Sequence, residues 1–215
     1  MIKPLKELLK QISFKYFKLG APNYSYNVEP IQLAKLISEL IRLDSTEGNI
    51  LEVGVARGMT TRFICEHLKN TKFEGIYYAI DTFESFTDSD LEYEVSNRKK
   101  DLAQLKGFQY NDFNVWKSHF RDFSFLKAVK SDCGKLDYEE FKPIKLTFLD
   151  VDLYLPTLKA LKKIYNCTCE GGVILVDDCI NNIIYDGAFQ AYMEFCAEKG
   201  IEPCIIGNKC GIIYK

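Results

Sequence analysis

The chain has 215 residues, 47% of them hydrophobic and 13% aromatic, with 28 Lys and Arg against 30 Asp and Glu. That length fits one domain able to bury a core without disulfide or metal staples. The near balance of charge excludes a global pull toward nucleic acid or anionic lipid, so a compact acceptor of little net charge, and no nucleic acid, is expected.

Residues 1–18 repeat apolar side chains at Ile2, Leu5, Leu8, Leu9 and Ile12 with Lys3, Lys6 and Lys10 on the other side, which predicts an amphipathic helix. It lacks the continuous apolar core and cleavage site of a secretion signal, and no run reaches the roughly 20 apolar residues of a membrane span. Packing on the domain as a lid is the favoured role, with a peripheral membrane contact as the alternative. After a turn-rich connection at 20–27, residues 30–43 predict a second helix, so 1–45 reads as an N-terminal helical segment and 46–215 as the main domain.

From there strands and helices alternate. A strand at 49–54 runs through a tight turn at 54–58 into a helix at 59–68, and a strand at 75–80 ends in Asp81. Residues 83–109 are irregular, acidic from Asp88 to Glu94 and basic from Arg98 to Lys100; the charge runs predict solvated helix faces, and the length suits a mobile cover. A helix at 110–120 and a strand at 125–130, ending at Ser131, Asp132 and Cys133, come next. A helical turn at 137–141, a strand at 145–149, a helix at 156–165, a strand at 173–176 and a helix at 185–199 follow. Gly207-Asn208 between two strand-like runs predicts a closing hairpin. The expected fold is α/β: a doubly wound, Rossmann-like, mostly parallel seven-stranded sheet with a C-terminal antiparallel hairpin and N-terminal helices. The eight cysteines form no C-x-x-C pair and read as reduced, mostly buried thiols of a cytoplasmic protein.

In such a sheet ligands bind beyond the carboxyl ends of the strands. Small residues at 54–58 would let a ligand lie against bare backbone, and Gly54 and Gly58 do not have the Gly-x-Gly-x-x-Gly spacing of a dinucleotide loop. A carboxylate at Asp81 is placed to accept hydrogen bonds from a ribose diol. The stretch Glu52-Val-Gly54-Val-Ala56-Arg-Gly58 resembles the first motif of class I S-adenosylmethionine-dependent methyltransferases, Glu/Asp-x-Gly-x-x-x-Gly, with Ala56 at a position that is often Gly. The resemblance implies that Gly54, Ala56 and Gly58 contact the methionine part of S-adenosylmethionine and that Glu52 helps to position it. It also implies that Asp81 binds the ribose and that Thr82, Asp132 and Cys133 flank the adenine.

The fourth and fifth strands end in Asp150-Val-Asp152 and Asp177-Asp178, and as sheet neighbours they would converge their carboxylates about one strand spacing apart. Such a cluster needs a shared proton or a cation, and an all-oxygen donor set favours Mg2+. Leu149-Asp-Val-Asp-Leu-Tyr-Leu-Pro-Thr157 with Gly171-Gly-Val-Ile-Leu-Val-Asp-Asp178 resembles the macrocin-type, TylF/MycF-like, sugar O-methyltransferase family. That resemblance implies metal ligation by Asp150, Asp177 and Asp178, with Asp152 as the general base in the absence of any histidine after His119. The expected activity is Mg-dependent transfer of a methyl group to a hydroxyl of a sugar in a glycan or glycosylated metabolite. A catechol-type acceptor and a non-catalytic S-adenosylmethionine-binding module stand as alternatives, and a homo-oligomer is left open.

Overall fold

The computed structural model describes residues 2–17, 24 and 26–215. Most of the connection expected at 20–27 therefore lies outside the described residues. The elements are α1 (Ile2–Tyr16), α2 (Pro30–Arg42), β1 (Asn49–Val53), α3 (Met59–Leu68), β2 (Tyr77–Asp81), α4 (Asp88–Arg98), α5 (Phe113–His119) and β3 (Leu126–Lys130). They continue with β4 (Ile144–Leu149), α6 (Tyr154–Cys167), β5 (Thr168–Val176), α7 (Gly187–Lys199), β6 (Cys204–Ile206) and β7 (Cys210–Tyr214).

The strands form one seven-stranded sheet in the order β3-β2-β1-β4-β5-β7-β6. All pairings from β3 to β5 are parallel, and β7 runs antiparallel to both β5 and β6. The fold is the expected Rossmann-like one with its C-terminal hairpin. Alternation along the central strands feeds two cores, because successive side chains leave opposite faces. Ile50, Leu146, Phe148, Val173 and Leu175 join the core under α2 and α3, while Leu51, Leu149, Ile174 and Val176 join the core under α6 and α7. With both faces covered, the strands are apolar almost throughout, as a parallel sheet demands.

Helix α2 buries Leu33, Leu36 and Leu40 against α3 and β4, and Lys145 of β4 donates to Leu43 O and Thr46 O beyond its C-terminal end. The burial of each of those leucines is worth roughly 2 kcal/mol. Helix α1 behaves differently, since Leu5, Leu8, Leu9 and Ile12 remain exposed.

The cover segment departs from its sequence reading. Thr87 caps α4, its hydroxyl accepting Asp90 N–H, and the acidic run is solvated only in part: Asp88 and Glu92 are exposed, whereas Asp90 and Glu94 are buried. Glu94 accepts the N–H of Tyr154 at 2.7 Å and pairs with Arg98 at 2.7 Å. A carboxylate at the first turn of α6 meets that helix's orphan amides and dipole, which explains why burial is tolerated. The cover is thereby anchored two residues beyond Asp152.

Candidate active site

The β1–α3 turn is shaped by backbone that side chains rarely allow. Gly54 has φ 85°, and a Cβ placed there would lie 1.7 Å from Asp150 O, so only glycine lets the ends of β1 and β4 close together. Ala56 holds φ 45° without that freedom. Gly58 caps α3 at φ 81° beneath the rings of Phe120 and Trp116, where a Cβ would clash.

Two carboxylates lock this turn. Asp81 Oδ2 accepts the N–H groups of Val55 at 2.8 Å and Ala56 at 3.1 Å, and Oδ1 accepts Phe83 N–H at 2.7 Å. Glu52 Oε2 accepts the hydroxyls of Thr61, at 2.6 Å, and Tyr77. Burial pushes the Glu52 pKa up to about 7 despite those two donors. Apart from that of Phe83, the sequence gives no sign of these contacts, because their partners lie 9 to 26 residues away.

A cleft of about 740 Å³ opens above the strand ends, within the size range of small-molecule sites. It is lined by Glu52, Gly54, Ala56, Asp81, Thr82, Asp132, Cys133, Asp150, Asp152, Asp177 and Asp178, so the structure brings together every site residue expected from sequence except Gly58, which stays beneath the rings. Thr82 turns its hydroxyl to Ser85 O at 2.9 Å, and Asp132 is tied to Gly134 N–H at 2.8 Å. Cys133 is buried, which pushes its thiol pKa up to about 12 and keeps it protonated. Phe86, Tyr26 and Asp90 also line the cleft.

At the far side, Leu149 pairs with Val176, and the next residues of both strands, Asp150 and Asp177, stand side by side. Asp152 sits at φ 61° in a γ-turn closed by Leu153 N–H to Val151 O at 2.6 Å, and Asp178 at φ 55°. Positive φ at two non-glycine residues is strain concentrated at one spot. Asp150, Asp152 and Asp178 each offer a carboxylate oxygen, all within 4.8 Å of one another. Burial, and then the neighbouring carboxylates, raise the pKa of Asp150 and Asp152 well above the usual range.

Asp177 is occupied otherwise. Its Oδ1 accepts Gln32 Nε2 at 2.7 Å, and its Oδ2 meets Lys209 Nζ at 3.0 Å; the same ammonium reaches Asp178 Oδ1 at 2.7 Å. Burial works against the charged Lys209, but Asp177 and Asp178 outweigh it and hold its pKa above the lysine norm. Gln32 also accepts Glu29 N–H at 2.8 Å, and Glu29 in turn accepts Asn208 N–H at 3.0 Å. Lys209 and Gln32 escaped the sequence reading because nothing local marks them. They reach Asp177 from a hairpin tip and a helix start, 32 and 145 residues away.

A single ammonium leaves four carboxylates under-neutralised, and an all-oxygen donor set at this spacing fits a hard divalent cation. The cleft thus joins the β1–α3 turn, with the Asp81 carboxylate bonded beneath it, to an acidic corner.

Comparison with solved structures finds the same fold. The O-methyltransferase NovP matches at TM-score 0.74 and 18% identity over 96% of this chain and 88% of its own. The calicheamicin methyltransferase CalS11 matches at TM-score 0.64 and 17% identity over 99% and 90%. A putative caffeoyl-CoA O-methyltransferase from Staphylococcus aureus matches at 0.54 and 11% over 98% and 95%. No curated protein sequence matches the chain. The family model of macrocin-O-methyltransferase (TylF) matches residues 31–214, which takes in both halves of the cleft. On that match the chain belongs to the TylF macrocin-O-methyltransferase family and is an S-adenosylmethionine-dependent O-methyltransferase.

Proposed function

We propose that this enzyme methylates a hydroxyl of a sugar carried in a glycan or glycosylated metabolite, and that its acidic corner holds Mg2+. The observation that carries this reading is the set of three carboxylate oxygens within 4.8 Å, facing the cofactor turn across one cleft. The CalS11 neighbour, described as a TDP-rhamnose 3'-O-methyltransferase, supports a sugar acceptor.

S-adenosylmethionine supplies an electrophilic methyl group on a sulfonium. Gly54 and Ala56 present backbone to its methionine part, Glu52 supports that turn from below, and Asp81 accepts from the ribose. Thr82, Asp132 and Cys133 flank the adenine, while Gly58 acts by shaping the turn. Magnesium, when bound, supplies a Lewis acid that lowers the pKa of a coordinated hydroxyl. Asp150, Asp152 and Asp178 are the ligands the geometry offers, whereas Asp177 braces the corner through Gln32 and Lys209. The second oxygen of Asp152 takes the acceptor's proton as the new O–C bond forms and the S–C bond breaks.

A catechol-type acceptor is the second reading. Phe86 and Phe108 meet edge to face at 5.5 Å beside Tyr185, and all three line the cleft, which suits a flat ring.

The test is calorimetric titration with S-adenosylhomocysteine, with and without Mg2+, on wild type and Asp81→Ala, followed by turnover of sugar and catechol acceptors with and without chelator. Micromolar binding lost in Asp81→Ala, and sugar turnover abolished by chelator, are expected. A folded wild type that binds no S-adenosylhomocysteine removes the cofactor site; turnover indifferent to chelator removes the metal; catechol turnover in place of sugar selects the second reading.

A further inference from the structure

The family match begins at residue 31, so α1 stands outside it. Leu5, Leu8, Leu9, Ile12 and Tyr16 recur at intervals of three and four and share one helix face. The structure leaves that face open, with Leu5 59%, Leu8 51%, Leu9 58% and Tyr16 76% exposed. α2 carries a comparable repeat and buries it, so an uncovered stripe is a property of α1 and not of amphipathic helices in this fold.

The charge on α1 is lopsided. Its sequence carries Lys3, Lys6, Lys10 and Lys15 against Glu7, although the whole chain has a net charge of −2. At 100° per residue, Lys6 and Lys15 fall on opposite borders of the apolar stripe, with Lys10 beyond Lys6. Lysines so placed lay their stems along the apolar face and extend their ammoniums past it.

Fifteen residues make a helix about 22 Å long, and no helix among the described residues is long and apolar enough to cross a membrane. A short helix with an apolar face and basic margins fits flat in the headgroup region of an anionic bilayer. A second copy fits less well: a symmetric pairing would set the lysine margins against each other, and Glu7, the acid of α1, is already paired with Lys10 at 3.0 Å.

We propose that α1 docks this methyltransferase on an anionic lipid surface. The apolar stripe inserts among the acyl chains near the headgroups, and Lys6 and Lys15, on its two borders, meet lipid phosphates. The docking does not depend on which acceptor the cleft takes.

The test is co-flotation of the full chain with vesicles of phosphatidylcholine alone and of phosphatidylcholine mixed with phosphatidylglycerol, at low and high salt. Leu5→Glu/Leu9→Glu and Lys6→Gln are compared with wild type. Binding to the anionic vesicles that high salt weakens, that Lys6→Gln weakens about fivefold and that the double variant loses is expected. Unchanged thermal melting and S-adenosylhomocysteine binding would show that both variants stay folded, since the substituted side chains are exposed. Absence of binding to anionic vesicles, equal binding to neutral ones, or a dimer in light scattering that the double variant dissolves would each overturn the proposal, the last in favour of self-association.

Discussion

The two halves of the cleft are built on opposite terms. At the β1–α3 turn, Asp81 is met by three backbone amides and Glu52 by two hydroxyls. Across the cleft, Asp150 and Asp152 receive no N–H donor among the described residues, and their neighbours are other carboxylates. The first half satisfies both of its carboxylates by itself, so the turn holds its shape before a ligand arrives. The second half remains frustrated until a cation or proton enters, which is where natural structures place function at the cost of stability.

Substitutions can break or sharpen that contrast. The largest effect is expected from Gly54→Ala, because its Cβ would fall 1.7 Å from Asp150 O and both halves would be forced apart. A loss of more than about 4 kcal/mol, or no folded protein, should appear in urea unfolding. Asp152→Asn should lower kcat by roughly 10²–10⁴ while leaving S-adenosylhomocysteine affinity intact. In metal-free protein it should raise the melting temperature, since it removes one repelling charge; a lowered melting temperature would contradict the account of that corner.

Glu52 makes the satisfied half sensitive to pH. Its folded pKa of about 7 lies above the reference value of 4.5. The folded state therefore holds a proton that the unfolded state releases between those values, and stability falls as pH rises from 4.5 to 7, then levels off. Relative to Glu52→Gln, wild type should lose about 3 kcal/mol across that window, read by unfolding at a series of pH values.

Lys209→Met removes the ammonium that bridges Asp177 and Asp178. A loss of roughly 2–3 kcal/mol without metal is expected, and Mg2+ should restore more of it than Mg2+ adds to wild type. An equal increment in both proteins would separate Lys209 from the proposed cation site. The smallest effect belongs to Ala56→Gly, which relieves a positive φ and should stabilise by up to about 1 kcal/mol.

Much of this was legible in the sequence because a parallel sheet places strand ends at one edge. Reading where apolar runs stop was enough to collect Glu52, Asp81, Asp132, Asp150 and Asp177. Pairing partners were not legible. Half of the acids of α4 are solvated as read, but no local pattern shows that Glu94 will meet the amide of Tyr154, 60 residues on. The periodicity of α1 announced an amphipathic helix, yet periodicity is blind to whether anything lies against it. Gly58 looked like a ligand contact because a turn glycine beneath two rings has the same signature as one beneath a cofactor.

The bridge from Gln32 through Asp177 to Lys209 has a consequence in time as well as space. All the bonds that lock Glu52 and Asp81 join residues between 52 and 83, so that half can form once the first strands have left the ribosome. The acidic corner joins residue 32 to residue 209 and depends on β7, the strand that follows Lys209, pairing with β5. During synthesis, which favours early segments, the nascent chain would acquire its β1–α3 turn well before its acidic corner. The part of the molecule proposed to carry out proton transfer would be the last to be assembled.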